Sequence, residues 1–524
     1  MRARPRSVVI IAVLLRPRSS AWALSLLAFL LLAFLLLFLV AGETGRAAPW
    51  PRPRSTATKP KPHKPPTVKK TPPPPPAVVT ENARPGTADW LGPAATGRAA
   101  EVYASATDAM PGDSVALHIS TVGGASYRVL VYRLGWYGGL GARQVACLPS
   151  CGGAEVGVQQ PVNTSGDMRA GWPTTDTLAV DPTWVSGYYL IRVLLLDGPQ
   201  PGRSATTYLI VNSPQPDTRM LIQVPVNTWQ AYNPWGGRST YDLPGLGPRA
   251  NHVSFDRPYD WAGPGGQGPL GWEIPFVRFV ERSGYDVSYQ SDVHTDAHPA
   301  SLLSHRLVAV AGHSEYWTKT MRDAFEAARD SGVNLAFMGA NDAYWQVRYE
   351  DAERTMVAYK SLYDPNPDVT LKTAMFREVG RLECGLIGIQ HQGASPLYWK
   401  AGNYTVPSAV LADPWMRNTG FLAGEVVPGI VSVESDTIPG NQTAASSCGH
   451  ELTVFFHREN GGDKDGNADA IRYTAPSGAM VFASGSHQFA WGLDDFSDVP
   501  GETRGFVDPK LQQFMRNALD AMTR

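Results

Sequence analysis

Residues 306–341 read RLVAVAGHSEYWTKTMRDAFEAARDSGVNLAFMGAN. The apolar run 306–311 predicts a buried strand. Thr318 then opens a helical period, with Met321, Ala324, Phe325 and Ala328 on one face, and Gly332 stops it. A second strand is expected over 333–341. Two strands flanking one helix are expected to lie side by side through a right-handed crossover. Between the first strand and the helix stands Gly312-His313-Ser314-Glu315-Tyr316-Trp317. A loop that only turned the chain would use Gly, Asn, Asp or Pro. This one releases an imidazole, a carboxylate, a phenol and an indole together.

The same texture extends in both directions. Runs 220–226 (MLIQVPV), 452–457 (LTVFFH) and 479–485 (AMVFASG) read as strands. Residues 273–284 (EIPFVRFVERSG) read as a helix, and a last helix carries Leu511, Phe514, Met515 and Ala518. Such alternation predicts, over 216–524, an α/β doubly wound parallel sheet of the flavodoxin or glutamine-amidotransferase kind. Residues 89–215 instead show short alternating runs (SVALHIS, YRVLVYRL, GYYLIRVLLL, TTYLIVN) between turn signals. That pattern predicts an all-β, Ig-like sandwich.

Residues 42–88 are Pro-rich and basic and are expected to form a linker. Ala21 to Val40 carries no charge, and at about 1.5 Å per residue would span roughly 30 Å as a helix. Residues 21–41 are therefore expected to be a retained transmembrane anchor rather than a cleaved signal peptide, whose apolar core is usually about 7–15 residues. Arg2, Arg4, Arg6, Arg16 and Arg18 precede it, which assigns 1–20 to the cytoplasm and the rest to the outside. The expected localisation is a single-pass cell-membrane protein with extracytoplasmic domains.

The chain has 524 residues with a formal net charge of −1, so nothing in the balance points to nucleic acid. Four cysteines suit an exported chain, and pairing Cys147 with Cys151 and Cys384 with Cys448 is one of three possible connectivities.

Ligands of open parallel sheets bind outside the carboxyl ends of the strands. The unusual loops fall there: NTWQAYNPWGG (227–237), GHSEYW (312–317), Gly339-Ala340-Asn341 and GSHQFAWG (485–492). His313, Glu315 and Asn341 would thus converge from adjacent strand tips. Each also has a plain reading. Glu315 could cap the following helix, and His313 could be a structural histidine. Trp229, Trp235 and Trp317 could be packing, and Tyr232 and Tyr259 ordinary phenols. The acids of DKDGNAD (463–469) are spaced like a calcium loop without its closing Glu, which favours a solvated turn.

Together NTWQAYNPWGGRSTY, VSFDRPYD, GHSEYWT, the MGAND and YWQVR stretches, and FASGSHQFAWGLDD resemble the large (beta) subunit of N,N-dimethylformamidase and its C-terminal domain family. YRLGWYGG resembles the β-sandwich that often precedes that domain, and the resemblance spans roughly 95–522. It implies an amidohydrolase with a mononuclear non-haem iron, Fe(III), held by two tyrosines and one glutamate. It makes Glu315 a metal ligand, with Tyr232 and Tyr259 as the phenolate ligands and Tyr241 in reserve. It makes His313, Asn341 and Lys360 catalytic, although Lys360 is equally read as a surface residue of AYKSLY. The family enzyme works with a small partner subunit that this chain does not supply.

Oxygen-only ligation suits a hard cation. Such an ion would polarise an amide carbonyl, while His313 moved a proton and Asn341 stabilised an oxyanion. The expected function is therefore metal-assisted hydrolysis of a C–N amide bond in a small amide or cell-envelope component, in a chain that could be a homo-oligomer. The alternative is a non-catalytic surface module whose aromatic loops bind a glycan or envelope polymer.

Overall fold

The computed structural model describes residues 74–524, apart from 163–165, 216–217, 243–247, 262–267, 395–401, 432–433, 460–466 and 498–501. Nine strands make its largest sheet: β1 (Met220–Val224), β2 (Val287–Ser291), β3 (Leu307–Ala311), β4 (Asn334–Met338), β5 (Gly402–Thr405), β6 (Val426–Val431), β7 (Thr453–Arg458), β8 (Ala468–Thr474) and β9 (Met480–Ala483). Their spatial order is β2-β1-β3-β4-β9-β8-β7-β5-β6. Neighbours are parallel from β2 to β9 and antiparallel from β9 to β6.

The apolar runs are continuous because both faces of the parallel strands are covered. Leu307, Ala309 and Ala311 of β3 join the larger core, while Val308 and Val310 join a second core on the other face. That second core holds Met321, Phe325 and Ala328 of the helix Lys319–Asp330. Thr318 caps this helix, its Oγ1 accepting from the Met321 N–H at 3.1 Å. Register pairs Ala311 with Met338, so the loops after β3 and β4 leave the sheet side by side. Their approach is close: a Cβ on Gly339 would lie 1.9 Å from the Gly312 carbonyl oxygen, and Gly312 itself takes a φ of +62°.

The expected doubly wound parallel α/β sheet is corrected. β-structure dominates the chain, the helices are short, and the large sheet is mixed, with its β6 side built of antiparallel neighbours. The physical reason is that a strand buried on both faces reads as an unbroken apolar run whichever way its neighbours point. LTVFFH and AMVFASG gave no sign of direction.

Ahead of the large sheet, strands Ala100–Ala104, Ser114–Thr121 and Asp176–Ala179 form a three-stranded sheet. It faces a larger sheet containing Ser126–Leu134, Ala142–Leu148, Gly187–Leu195 and Ser204–Val211. Val102, Leu117 and Ile119 meet Val129, Val131 and Ile191 between them. The alternate residues Leu130, Tyr132, Tyr188 and Leu190 point the other way, into the main core with Phe276 and Val280. Behind this face lies a buried ion pair, Arg133 Nη2 to Glu281 Oε1 at 2.8 Å. Disulfides join Cys147 to Cys151 and Cys384 to Cys448.

The single-pass membrane localisation is likewise corrected: among the described residues no helix is long and apolar enough to cross a membrane. The expected anchor at 21–41, the segment 1–20 and most of the 42–88 linker lie outside the described residues, as does most of the calcium-like loop.

Candidate functional site

Four chain segments close over the carboxyl ends of β1, β3 and β4. β1 runs through Pro225 into a short helix, Val226–Tyr232, whose last residue is Tyr232. Tyr241 follows on the next loop. Glu315 and Tyr316 leave β3 through the GHSEYW loop, and Lys360 lies just past the strand Thr355–Val357.

The side chains meet in a buried oxygen cluster. Tyr232 Oη donates to Glu315 Oε2 at 2.8 Å. Tyr241 Oη lies 2.9 Å from Glu315 Oε1, 3.0 Å from Oε2 and 2.8 Å from Tyr232 Oη. Tyr316 Oη donates to Tyr241 Oη at 2.6 Å. Burial, with Glu315 behind it, pushes all three phenols well above their ordinary range. Burial likewise holds Glu315 above the usual carboxylate range, against the pull of His313.

A second set of groups faces the first. His313 Nε2 lies 3.5 Å from Glu315 Oε2 and 3.1 Å from Glu434 Oε2, linking the two carboxylates. Burial disfavours its cation, but Glu434 and Glu315 outweigh that and raise it. Burial opposes the ionised Glu434 too, and His313 with His487 overcomes it, holding this carboxyl well below its ordinary range. Asn341 Nδ2 donates to Glu434 Oε2 at 2.8 Å. Its backbone N–H donates to Asp436 Oδ1 at 2.8 Å, which pins Asn341 at a left-handed φ of +55°. Ser314 N donates to Asp342 Oδ1 at 3.1 Å, so a buried acid fixes each loop tip. His487 Nε2 meets the Ala340 carbonyl at 2.9 Å and is therefore protonated there.

Lys360 is not a surface residue. Its Nζ sits 3.2 Å from the centroid of the Tyr241 ring, buried and without a hydrogen-bond partner among the described residues. Burial pulls it down to about 7, against Glu315. Among the described residues, Asn341 Oδ1, His487 Nδ1 and Trp272 Nε1 are likewise buried without a hydrogen-bond partner in the same region. Trp272 lies with its ring centroid 5.3 Å from that of His487. Buried polar groups are ordinarily satisfied, by protein or by ordered water, and four of them without a protein partner gather here.

The structure thus brings together Tyr232, Glu315, His313, Asn341 and Lys360. It does not bring Tyr259, which stacks on Trp261 at 4.3 Å and lines a separate cavity of about 20 Å³ with Tyr103, Tyr208 and Trp229. The second phenol at Glu315 is Tyr241. Trp229, Trp235 and Trp317 are buried and offer no stacking surface to a polymer. Sequence reasoning missed Glu434 and Asp436, which sit in a short strand, Glu434–Thr437, with no motif or periodicity around it. His487 lay inside a loop already placed at the sheet edge.

Oxygens on adjacent corners of an octahedral ion, at about 2.0 Å from it, stand about 2.8 Å apart. The spacings of Tyr232, Tyr241 and Glu315 match that edge length, so the residues present fit a hard cation. His313, Glu434 and His487 also have potential ligand atoms within 4.8 Å of one another. Of these, His487 Nε2 is held by a carbonyl and Glu434 by His313 and Asn341, while His487 Nδ1 has no hydrogen-bond partner among the described residues. A proton-handling group suits them better than a second metal.

Buried oxygen donors and titratable groups thus gather at the carboxyl ends of parallel strands, the edge at which open α/β sheets carry their ligands. The pattern of the N,N-dimethylformamidase beta subunit-like, C-terminal family matches residues 128–503, and the chain belongs to that family. No curated protein matches the chain. Among solved structures, the sulfur carrier protein SoxY from Chlorobium limicola f thiosulfatophilum is 11% identical, covers 23% of this chain and 86% of its own, and has a TM-score of 0.13. A chain from a structure of T-cell activation by the bacterial superantigen toxic shock syndrome toxin-1 is 20% identical, covers 21% and 98%, and has a TM-score of 0.14. Likeness at that level carries no argument about this fold.

Proposed function

We propose that this chain hydrolyses a C–N amide bond of a small amide, using a mononuclear non-haem iron ion, Fe(III), held by Tyr232, Tyr241 and Glu315. The observation that carries the reading is the convergence of two buried phenols and one buried carboxylate on a single point, with no buried cation hydrogen-bonded to the phenols among the described residues. When bound, such an ion supplies Lewis-acid polarisation of the carbonyl and acidifies water. To hold it, Tyr232 and Tyr241 would give up their phenol protons, because metal ligands must be deprotonated.

The chain's own residues then handle protons and position the substrate. His313, held towards its imidazolium form between Glu315 and Glu434, would give a proton to the leaving amine and recover one from the attacking water, with Glu434 stabilising the imidazolium. Asn341 Nδ2 is a hydrogen-bond donor for the developing oxyanion. Its backbone is held by Asp436, so little reorganisation is needed. Lys360, buried against Tyr241, offers a second positive charge near the phenolates. The depth of the cluster favours a small substrate such as N,N-dimethylformamide over a polymer.

The test is metal content of protein purified without chelator. We expect close to one iron per chain in the native protein, and loss of iron in Glu315→Gln and Tyr241→Phe. Tyr259→Phe should keep it. Iron retained by Glu315→Gln would remove the ligand assignment and the hydrolase reading with it.

A further inference from the structure

Away from this cluster, a cleft of about 530 Å³ opens beside β7 and β8. Thr405, Pro407, Ile438, Val454, His457 and Asp469 are among its lining residues. Its volume falls within the usual range of small-molecule sites, about 300–1,000 Å³.

The polar centre of the cleft is a built pair. Asp469 is 2% exposed. Its Oδ2 accepts from Thr437 Oγ1 at 2.6 Å and from the Ile438 N–H at 3.0 Å. Its Oδ1 meets His457 Nδ1 at 2.7 Å. With both carboxylate oxygens engaged, Asp469 is a fixed anchor rather than a free acid. It places the His457 proton on Nδ1 and orients the ring, as a carboxylate does behind many working imidazoles. His457 keeps 41% of its side chain exposed, so its Nε2 edge is the accessible one.

The hydrogen bond that His457 donates to Asp469 raises it above its ordinary value against the cost of burial, and Glu459 adds to this. Protonated, His457 presents an N⁺–H at Nε2. Pro407, Ile438, Pro439 and Val454 supply apolar walls beside it, and among the described residues the one carboxylate lining the cleft, Asp469, is already spent. A cationic donor fixed among apolar walls recognises an anionic head on an apolar body.

We propose that this cleft binds a small organic carboxylate, its head on His457 Nε2 and its body against Pro407, Ile438 and Val454. The site is independent of the amide-hydrolysis reading. It is nevertheless joined to the buried cluster by one strand, Glu434–Thr437: Thr437 holds Asp469 at one end, and Glu434 meets His313 at the other.

The probe is benzoate, titrated calorimetrically into the full chain at about pH 6 and about pH 8.5, with inorganic phosphate as the apolar-free anion. We expect saturable benzoate binding that weakens roughly tenfold or more at the higher pH, as His457 loses its charge. His457→Gln should remove the pH dependence. Val454→Glu, which leaves the His457–Asp469 pair in place, should abolish binding. Absence of benzoate binding, equal binding by His457→Gln, or phosphate binding as tight as benzoate would each overturn the proposal. Thermal unfolding of both variants separates loss of the site from loss of the fold.

Discussion

Glu273 shows how a single side chain reports on its surroundings. It is buried, accepting from Trp229 Nε1 at 2.7 Å and Tyr188 Oη at 2.8 Å, and burial raises it to about 8. A carboxyl raised in the folded state above its unfolded value, about 4.3, binds protons more tightly when folded. Its contribution is therefore complete below the unfolded value and is lost as pH rises towards and through about 8. Glu273→Gln keeps the neutral shape, so the fall in Tm between about pH 5 and about pH 8.5 should be shallower in the variant. An equal fall in both proteins would mean Glu273 is already ionised at neutral pH. At the same scale, Asn341→Asp should retain iron while losing activity, because it removes the Nδ2 donor and places a carboxylate beside Glu434. Loss of iron in that variant would count Asn341 among the metal's supports.

At the scale of elements, the loops after β3 and β4 make the site by standing closer than side chains permit. Gly339→Ala would bring a Cβ to 1.9 Å from the Gly312 carbonyl, and backbone cannot swing aside as a flexible side chain does. The expected result is a large drop in Tm, or no folded protein, whereas Gly271→Ala, where a Cβ meets nothing within 4 Å, should be near neutral. Thr318→Ala removes the cap of the helix Lys319–Asp330 and should cost about 1 kcal/mol by denaturant unfolding. Much at this scale was legible. The apolar run 306–311, the period after Thr318 and the GHSEYW loop place His313 and Glu315 at a strand tip, where the structure has them. Strand direction was not legible, because burial on both faces erases the alternation that would carry it. Neither was Glu434, which reaches His313 only through the folding of a strand without sequence pattern. Tyr241 shares its loop with several other polar residues, and only packing distinguishes it from Tyr259.

Across the whole molecule, the two-sheet region and the large sheet are tied by Arg133 and Glu281, both with fully buried side chains. Glu281 also accepts from Tyr289 Oη at 2.8 Å, and Arg133 donates to the Ser186 carbonyl at 2.8 Å. Deleting one partner of such a pair leaves a charge without compensation, at a cost of about 3–5 kcal/mol. Glu281→Gln should therefore lower stability by about that amount, and pairing it with Arg133→Met should restore part of it. A double variant as unstable as the sum would show that the two groups act separately. Residues 73–524 cluster as one unit, so calorimetry should record the loss across the whole unfolding transition rather than in one shoulder. Finally, β9 lies between β4 and β8, in the middle of the sheet, although it is the last of the nine strands in the chain. On the ribosome, the halves of the sheet emerge long before the piece that joins them. Until Met480–Ala483 is made, β4 and β8 each wait with an open edge, which is an invitation to pair with the wrong chain. The sheet is therefore finished only once its last strand in chain order has been synthesised, and a nascent chain arrested before that strand has no route to a closed one.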